Sequence, residues 1–503
     1  MSTIFQLVLD QSVIRGDKAA IVSDNTSITY KELVDRVDKT AEQLKRYGLR
    51  RNDTIALIAD NSISFLTCYL AASKLEICIV PIDTRLTLDE IASLINEIKP
   101  TFAIVDAKYV EIAKQAIADN IVEETRPLDD SLVAMFIDRD ANKGINEQEN
   151  LFTVLFSSGS TGRPKGILFA QETIINQVHL QCQYFGITAA DNILCTVTLV
   201  HSYGIHDHAL PALMNGGTLY LPDLAAVTPR KILDAAAKQS ITFLGTLPYM
   251  YALMAEIGLV RRYNLGSVRY FICGGAPLST EVIDKFAKAF DGKRINQVYG
   301  LTEIGYISFN AEGTIASSIG TPFAELSWKL IDSNGEAVRS GEEGELCVKL
   351  DNMISPGYLN NPEEQGNVYV DGWFCTKDII RQDEEGYFYH MGRVSDFINV
   401  GANKVSPKEL EALIGAIEKV REIAVVGISD DIAGQRVVAV IVPEIQGDGL
   451  DELRQLIAQK CTNQLALYKR PSEIVFVDRI PRSPLGKVIR RELIDSLEGS
   501  VRR

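Results

Sequence analysis

A run of hydroxyl and glycine residues ending in a single lysine, Phe156-Ser157-Ser158-Gly159-Ser160-Thr161-Gly162-Arg163-Pro164-Lys165-Gly166, has the makings of a polyphosphate clamp. Glycines let backbone N–H groups converge on phosphate oxygens, Ser and Thr hydroxyls add donors, and Lys165 brings a mobile positive charge. The triphosphate of ATP is the ligand such a loop suits. The spacing is not that of the common P-loop: two residues separate Gly162 from Lys165, and Gly166, not Ser or Thr, follows the lysine. A Ser/Gly linker has the same composition, so the meaning of this segment depends on what surrounds it.

What surrounds it is an alternation of strand and helix. Short β-branched runs at 54–59, 101–105 and 241–244 alternate with amphipathic helical patterns such as 31–47, which predicts an α/β fold with parallel-rich sheets. That helix opens on Thr29-Tyr30-Lys31-Glu32, the spacing of a capping box, and closes at Gly48. From about Ser327 the texture changes to short strands broken by Gly-Glu and Asn-Gly turns, predicting a small, mostly antiparallel β unit. After Gly392-Arg393 a compact α+β pattern follows. It has a helix from Ser406-Pro407 (Ser at N-cap, Pro at N1, Glu409 at N3), strands near 423–428 and 437–442, a helix from Leu450 and a strand at 473–477. The expected division is a large N-terminal domain, 1–394, and a small C-terminal domain, 395–503. The stretch 118–134 reads as a variable surface connection without chemistry.

Composition excludes several classes. With 503 residues and 46% hydrophobic content, the chain can bury more than one core. A formal net charge of -15 disfavours a nucleic-acid partner, since phosphate-backbone binding rests on basic surface. Eight cysteines occur without a CxxC pair, giving little support to a disulfide framework or zinc ribbon and fitting a reducing, cytoplasmic location. No apolar run approaches membrane-spanning length, and the start lacks the features of a secretory signal, so no membrane partner is expected.

Six segments then occur in one order: 156–166, Gly274-Gly275-Ala276-Pro277-Leu278, Tyr299-Gly300-Leu301-Thr302-Glu303, Gly372-Trp373-Phe374-Cys375-Thr376-Lys377-Asp378, 392–398 and Pro484-Leu485-Gly486-Lys487. In this order the chain resembles the adenylate-forming superfamily of acyl-CoA synthetases, adenylation domains and luciferases, nearly end to end. The resemblance implies a two-step reaction: a carboxylate attacks the α-phosphate of ATP to give acyl-AMP and pyrophosphate, and a thiol then displaces AMP. It implies that Ser157, Ser158, Gly159, Ser160, Thr161, Gly162 and Lys165 hold the β- and γ-phosphates, that Thr302 touches the α-phosphate, and that Glu303 binds Mg²⁺. Gly274, Gly275, Ala276 and Pro277 would wall the adenine slot, with Tyr299 stacking opposite and Gly300 beside it. Asp378 would take the ribose hydroxyls with Arg393 nearby, and Lys487 would stabilise charge building on the α-phosphate during adenylation. The C-terminal domain would turn between half-reactions, with Gly401 leaving room for a pantetheine arm. Two departures stand out: the hinge position reads Ser395-Asp396, and the usual Thr-Gly-Asp reads Thr376-Lys377-Asp378, with Lys377 expected to be solvated or to reach a phosphate.

The segment from His201 to His208 carries three of the five histidines. Imidazoles and a carboxylate could ligate zinc; the resemblance instead puts this segment beside the acyl pocket, with His201 gating carboxylate access. The expected walls are Tyr203, Asp207, Leu247, Gly275, Gly300, Ile304 and Gly305. His-Ser-Tyr-Gly favours a simple organic acid. Asp207 keeps an amino acid open, because a carboxylate in an apolar pocket calls for a cationic partner, although His206, His208 or solvent could also meet it. The acceptor is CoA or the phosphopantetheine of a carrier protein, with Lys469, Arg470 and Arg482 as candidate contacts; a carrier would be a separate chain. The expected function is an acid–thiol ligase using ATP and Mg²⁺.

Overall fold

Strand–helix alternation builds two sheets of hydrophobic, mainly parallel strands in the larger part of the chain. The structure is a computed structural model describing residues 2–501 apart from 25, 52, 118–120, 130, 138–149, 158–163, 259–262, 276–277, 312, 314, 316, 395–396, 401–402, 431–433, 445–446, 448 and 483–487. It gathers into two units, Met1–Ala316 with Leu350–Asn367, and Ser317–Lys349 with Val368–Arg503.

In the first unit one sheet runs, in spatial order, Gly305–Phe309, Ile295–Leu301, Tyr270–Cys273, Phe243–Thr246, Asn192–Cys195, Thr218–Leu221, Ala19–Ser23 and Ser27–Thr29. Its inner strands are parallel to one another, and the Gly305–Phe309 and Ser27–Thr29 strands pair antiparallel. The second sheet runs Ile121–Pro127, Leu132–Ile137, Phe102–Asp106, Thr54–Ile58, Cys78–Ile82, Leu151–Ser157 and Lys165–Ala170. Its central strands are buried at every position over Thr54–Ile58 and Cys78–Ile82, as parallel strands covered on both faces must be. The stretch expected to be a surface connection is instead a hairpin: Ile121–Pro127 and Leu132–Ile137 pair antiparallel, and Leu132, Ala134 and Met135 are buried. Its alternation was masked by polar residues in its first strand, Glu123, Glu124 and Arg126.

Local signals held where they were strong. The helix Tyr30–Arg46 begins with the full capping box: the Glu32 N–H donates to Thr29 Oγ1 (3.2 Å) and the Thr29 N–H to Glu32 Oε2 (2.8 Å). At the N-terminal edge of the first sheet, buried Asp191 accepts from the Thr242 hydroxyl (2.6 Å), the Thr188 N–H (2.8 Å) and Arg269 Nη2 (2.8 Å). Burial alone would raise this carboxyl's pKa, but the three donors hold it below its usual value.

The second unit contains the antiparallel β unit, with strands Ser327–Ile331, Glu343–Lys349, Tyr369–Val370, Trp373–Gln382 and Phe388–Arg393. The C-terminal α+β part has a sheet ordered Asn403–Val405, Ile398–Val400, Gly434–Pro443, Val420–Asp430, with Glu473–Phe476 added parallel to Gly434–Pro443. The helices Pro407–Gly415 and Gly449–Gln464 bury Leu410, Ile414, Leu453 and Ile457 in one core. Leu493 of the helix Arg490–Val501 packs in another with Ile480 and Val440. Ser406 stands at the N-cap as expected, but its hydroxyl donates to the Met391 carbonyl (3.1 Å) and makes no cap bond.

One expectation is corrected in this unit. Cys347 and Cys375, directly opposite on adjacent strands, form a disulfide, a pairing that sequence spacing of 28 residues did not reveal. Lys377, expected to be solvated or to reach a phosphate, is part-exposed, and its Nζ lies 3.2 Å from Glu345 Oε1. No helix among the described residues is long and apolar enough to cross a membrane.

Candidate active site

In the first unit the chemistry-bearing residues collect at the C-terminal ends of parallel strands, where side chains and loops can converge without breaking the sheet. Ser157 ends the strand Leu151–Ser157, and Asp83 follows Cys78–Ile82. Thr246 and Leu247 end and follow Phe243–Thr246; Gly274 and Gly275 follow Tyr270–Cys273. The strand Ile295–Leu301 turns into Gly305–Phe309 through the short loop Thr302-Glu303-Ile304. Two glycines make this turn possible. A Cβ on Gly300 would lie 2.2 Å from the Gly305 carbonyl oxygen, and Gly305 itself has φ +79°.

The loop's polar groups are held from several sides. Glu303 Oε1 accepts from the Tyr358 hydroxyl at 2.7 Å, and its backbone carbonyl accepts from the Ser355 N–H at 2.7 Å. Ser202 Oγ lies 3.4 Å from Thr302 Oγ1, joining this loop to the segment expected to face the acyl group. Tyr299 and Ile304 are buried, as is Leu247. Lys165, at the start of its strand, is ion-paired with Glu364 and lies 5.9 Å from the Tyr358 ring centroid. The Tyr358 hydroxyl and ring thus connect the glutamate and the lysine that sequence reading named separately.

The helix from 202 to 214 explains much about the histidines. It contains a π-helical turn, Ile205–Ala209, between the helical segments Ser202–Gly204 and Leu210–Met214. Pro211 has no N–H to give the carbonyl four residues earlier, that of Asp207. The Gln181 side-chain amide takes that place, donating to the Asp207 carbonyl at 2.7 Å. The zinc reading finds no support here, because the three rings diverge. His201 Nε2 is 3.7 Å from Asp83 Oδ2, the His206 ring packs edge-on against Phe169, and His208 Nδ1 meets the Tyr203 carbonyl. Among the described residues the one group placed for metal binding is Glu345 with Cys347 and Cys375, whose sulfurs are already joined.

Electrostatics in this helix are set by burial. Burial lowers the pKa of His206 to about 3 and of His208 to about 4, and both rings are neutral. His201 is also shifted down, chiefly by burial and partly by Arg85, against the opposing pull of Asp83. Asp83 is gripped by Arg85 through Nε (2.9 Å) and Nη2 (2.5 Å). Burial raises the Asp207 carboxyl to about 8, with no ion pair to either neighbouring histidine among the described residues. Tyr203 points its hydroxyl at the carbonyls of Thr246 (3.3 Å) and Ile272 (3.4 Å). The Tyr306 hydroxyl finds no partner among the described residues, and burial, with nearby Asp207 adding to it, pushes its pKa well above the usual value.

In the second unit Asp378 is 1% exposed and accepts from Arg393 Nε at 2.9 Å, its directly opposite residue on the neighbouring strand. His390 Nε2 lies 3.1 Å from the same Oδ1, and Lys408 Nζ lies 2.6 Å from His390 Nδ1. Sequence reading named Asp378 and Arg393 but missed His390, Lys408, Asp83, Arg85 and Tyr358. Asp83 alone carried a local signal, a carboxylate right after a buried strand. The cations expected near an acceptor thiol are engaged within the unit: Lys469 with Glu409 (2.7 Å), Arg482 with Glu422 (2.9 Å), and Arg470 with the carbonyls of Leu465 and Thr462. Ser158, Gly159, Ser160, Thr161, Gly162, Ala276, Pro277, Gly401 and Lys487, with the hinge pair 395–396, lie outside the described residues.

The segments that carry these residues belong to a known class. The family model described as AMP-binding enzyme matches residues 10–359, and that described as AMP-binding enzyme C-terminal domain matches 409–487. The chain belongs to this adenylate-forming family and is an AMP-forming acid–thiol ligase. It is similar to a probable CoA ligase, CCL5, of Humulus lupulus, 31% identical over 488 residues covering 93% of this chain and 88% of that protein. Peroxisomal OPC-8:0-CoA ligase 1 of Arabidopsis thaliana is 29% identical over 502 residues, covering 95% and 90%. Among solved structures, ATP-bound MatB from Rhodopseudomonas palustris has a TM-score of 0.84 at 25% identity over 99% of each chain.

Proposed function

We propose that this ligase activates a small organic acid as its acyl-adenylate and passes the acyl group to CoA. The carrying observation is the contact of Ser202 with Thr302, because in-line attack requires the acid's carboxylate beside the α-phosphate. The carboxylate oxygen attacks the α-phosphorus, the bond to the bridging oxygen breaks, and pyrophosphate leaves; the thiol then attacks the acyl carbon and AMP leaves. Thr302 donates to the α-phosphate, and Ser157 and Lys165 belong to the phosphate loop, Lys165 exchanging Glu364 for a phosphate. Tyr299, Gly274 and Gly275 border the adenine. Asp378 takes the ribose hydroxyls. His201 gates the carboxylate, and Tyr203, Leu247, Ile304 and Gly305 line the acyl group. The Glu303 carboxylate, oriented by the Tyr358 hydroxyl, is a hard oxygen donor that suits Mg²⁺, which when bound would neutralise phosphate charge. Lys487 carries the adenylation step, Gly401 the passage of the pantetheine arm, and 395–503 is the domain that changes face between half-reactions. Relatives across nearly the whole length are named as CoA ligases, which supports CoA as acceptor.

A second reading, an amino-bearing acid delivered to a separate carrier protein, is favoured by Asp207, a buried carboxyl without a cationic partner among the described residues. An ammonium group on the substrate would supply that partner. Pyrophosphate release measured with ATP and Mg²⁺ over fatty, aryl and amino acids, with and without CoA, separates the two. Release with fatty or aryl acids that rises with CoA is the expected result. A response confined to one amino acid and indifferent to CoA would overturn the first reading in favour of the second.

A further inference from the structure

We propose that His390 is a positioning residue for the nucleotide, holding the Asp378 carboxylate through an imidazole whose tautomer is fixed by Lys408. The inference rests on the reading of Asp378 as the ribose acid. It starts from strand register. Asp378 pairs with Arg393 and Ile379 with Gly392, but Ile380 pairs with His390, so the strand Phe388–Arg393 carries one extra residue at this point. Alternation alone would put Met391 on the face shared by Asp378 and Arg393 and turn His390 to the opposite face. The bulge, made at Gly392 with φ +143°, reverses that assignment and delivers the imidazole to the carboxylate.

The chemistry of the three groups then fixes their roles. An ammonium can only donate, so Lys408 Nζ at 2.6 Å from His390 Nδ1 requires the lone pair on that nitrogen. The ring proton accordingly sits on Nε2, which faces Asp378 Oδ1 at 3.1 Å. Arg393 Nε reaches the same oxygen at 2.9 Å, and the hydroxyl of Thr376 accepts from the Asp378 N–H at 3.1 Å. Lys408 also donates to the His390 carbonyl at 3.4 Å, anchoring the ring from the first turn of its helix. That position is a poor one for a cation, because the helix N-terminus already carries partial positive charge. The placement is explained by the imidazole it serves. The two donors on Oδ1 set the rotation of a carboxylate that is otherwise sealed from water, and that rotation decides how it presents to two vicinal hydroxyls.

The test compares ATP with 2′-deoxy- and 3′-deoxy-ATP in acid-dependent pyrophosphate exchange by the full-length enzyme. D378N is expected to remove most of the parent's preference for ATP. His390→Leu is expected to raise KM for ATP and cut the preference by about tenfold, the loss typical of one charge-assisted hydrogen bond, with KM for the acid unchanged. His390→Gln, which can place an N–H where Nε2 was, restores the preference to within about threefold of the parent, and Lys408→Met shows a smaller loss of the same sign. Parental preference in both H390L and K408M, with D378N impaired, overturns the role of His390 and leaves the ribose reading standing. Parental preference in D378N overturns the ribose reading and this inference with it. Should H390L fail to fold, H390Q and K408M decide the matter, since parental values in K408M are incompatible with its fixing the ring.

Discussion

Asp207 holds a proton that most aspartates have lost by neutral pH, because burial removes water and no cation among the described residues pairs with it. Its ordinary value near 3.8 is raised to about 8 in the fold, so its contribution to stability is complete below pH 3.8 and lost as pH rises through about 8. His206 and His208 act in the opposite sense: their lowered values favour the fold above their usual 6.5 and cost stability as pH falls. We expect Asp207→Asn to melt above the parent at pH 8, with the gap shrinking by at least about 2 °C towards pH 5, since a kilocalorie moves the melting point of a large domain by about that much. Melting curves at stepped pH check this, and a gap independent of pH would show that Asp207 is ionised in the fold. At this scale the sequence was informative about residue type but not about company. It marked Asp207 as needing a partner, yet could not say that His206 turns to Phe169 and His208 to a backbone carbonyl.

Elements governed by neighbours in sequence were legible. The capping box at Thr29 and Glu32 and the start of the helix at Ser406-Pro407 depend on residues within one turn, so their patterns survive translation into structure. Elements governed by distant partners were not. In the π-helical turn at 205–209 the Asp207 carbonyl, which Pro211 cannot meet for want of an N–H, is met by Gln181 from another helix. Replacing Gln181 by Leu leaves that buried carbonyl unpaired, and a loss of about 1–3 kcal/mol in urea unfolding is expected. A change below about 0.5 kcal/mol would mean that the turn finds another donor. The bulge at 391–392 is hidden for a similar reason, because an alternating pattern gives no notice of an extra residue until the opposite strand is known. The same holds for Cys347 and Cys375, whose pairing is a property of register and not of spacing along the chain.

At the scale of the molecule, the order of six short segments identified the family while each segment alone remained ambiguous; Lys487 in its basic surroundings is the clearest case. Lys487→Ala is expected to reduce adenylation by at least about 100-fold, the scale of one transition-state charge contact, while thioester formation from supplied acyl-AMP stays within a few-fold of the parent. Measuring the two half-reactions separately checks this, and an equal fall in both with the fold intact would remove the division of labour between them. The first sheet has a different division, between its two edges. Residues proposed for chemistry stand at the C-terminal ends of its strands, whereas the opposite edge is tied by Asp191 to Thr188, Thr242 and Arg269. A change at that edge reaches the reaction only through folding free energy, and a change at the other edge can redirect the reaction while the fold holds. The enzyme can thus drift in robustness and in substrate choice along separate sets of positions, which gives a lineage or a laboratory library two nearly independent directions in which to vary it.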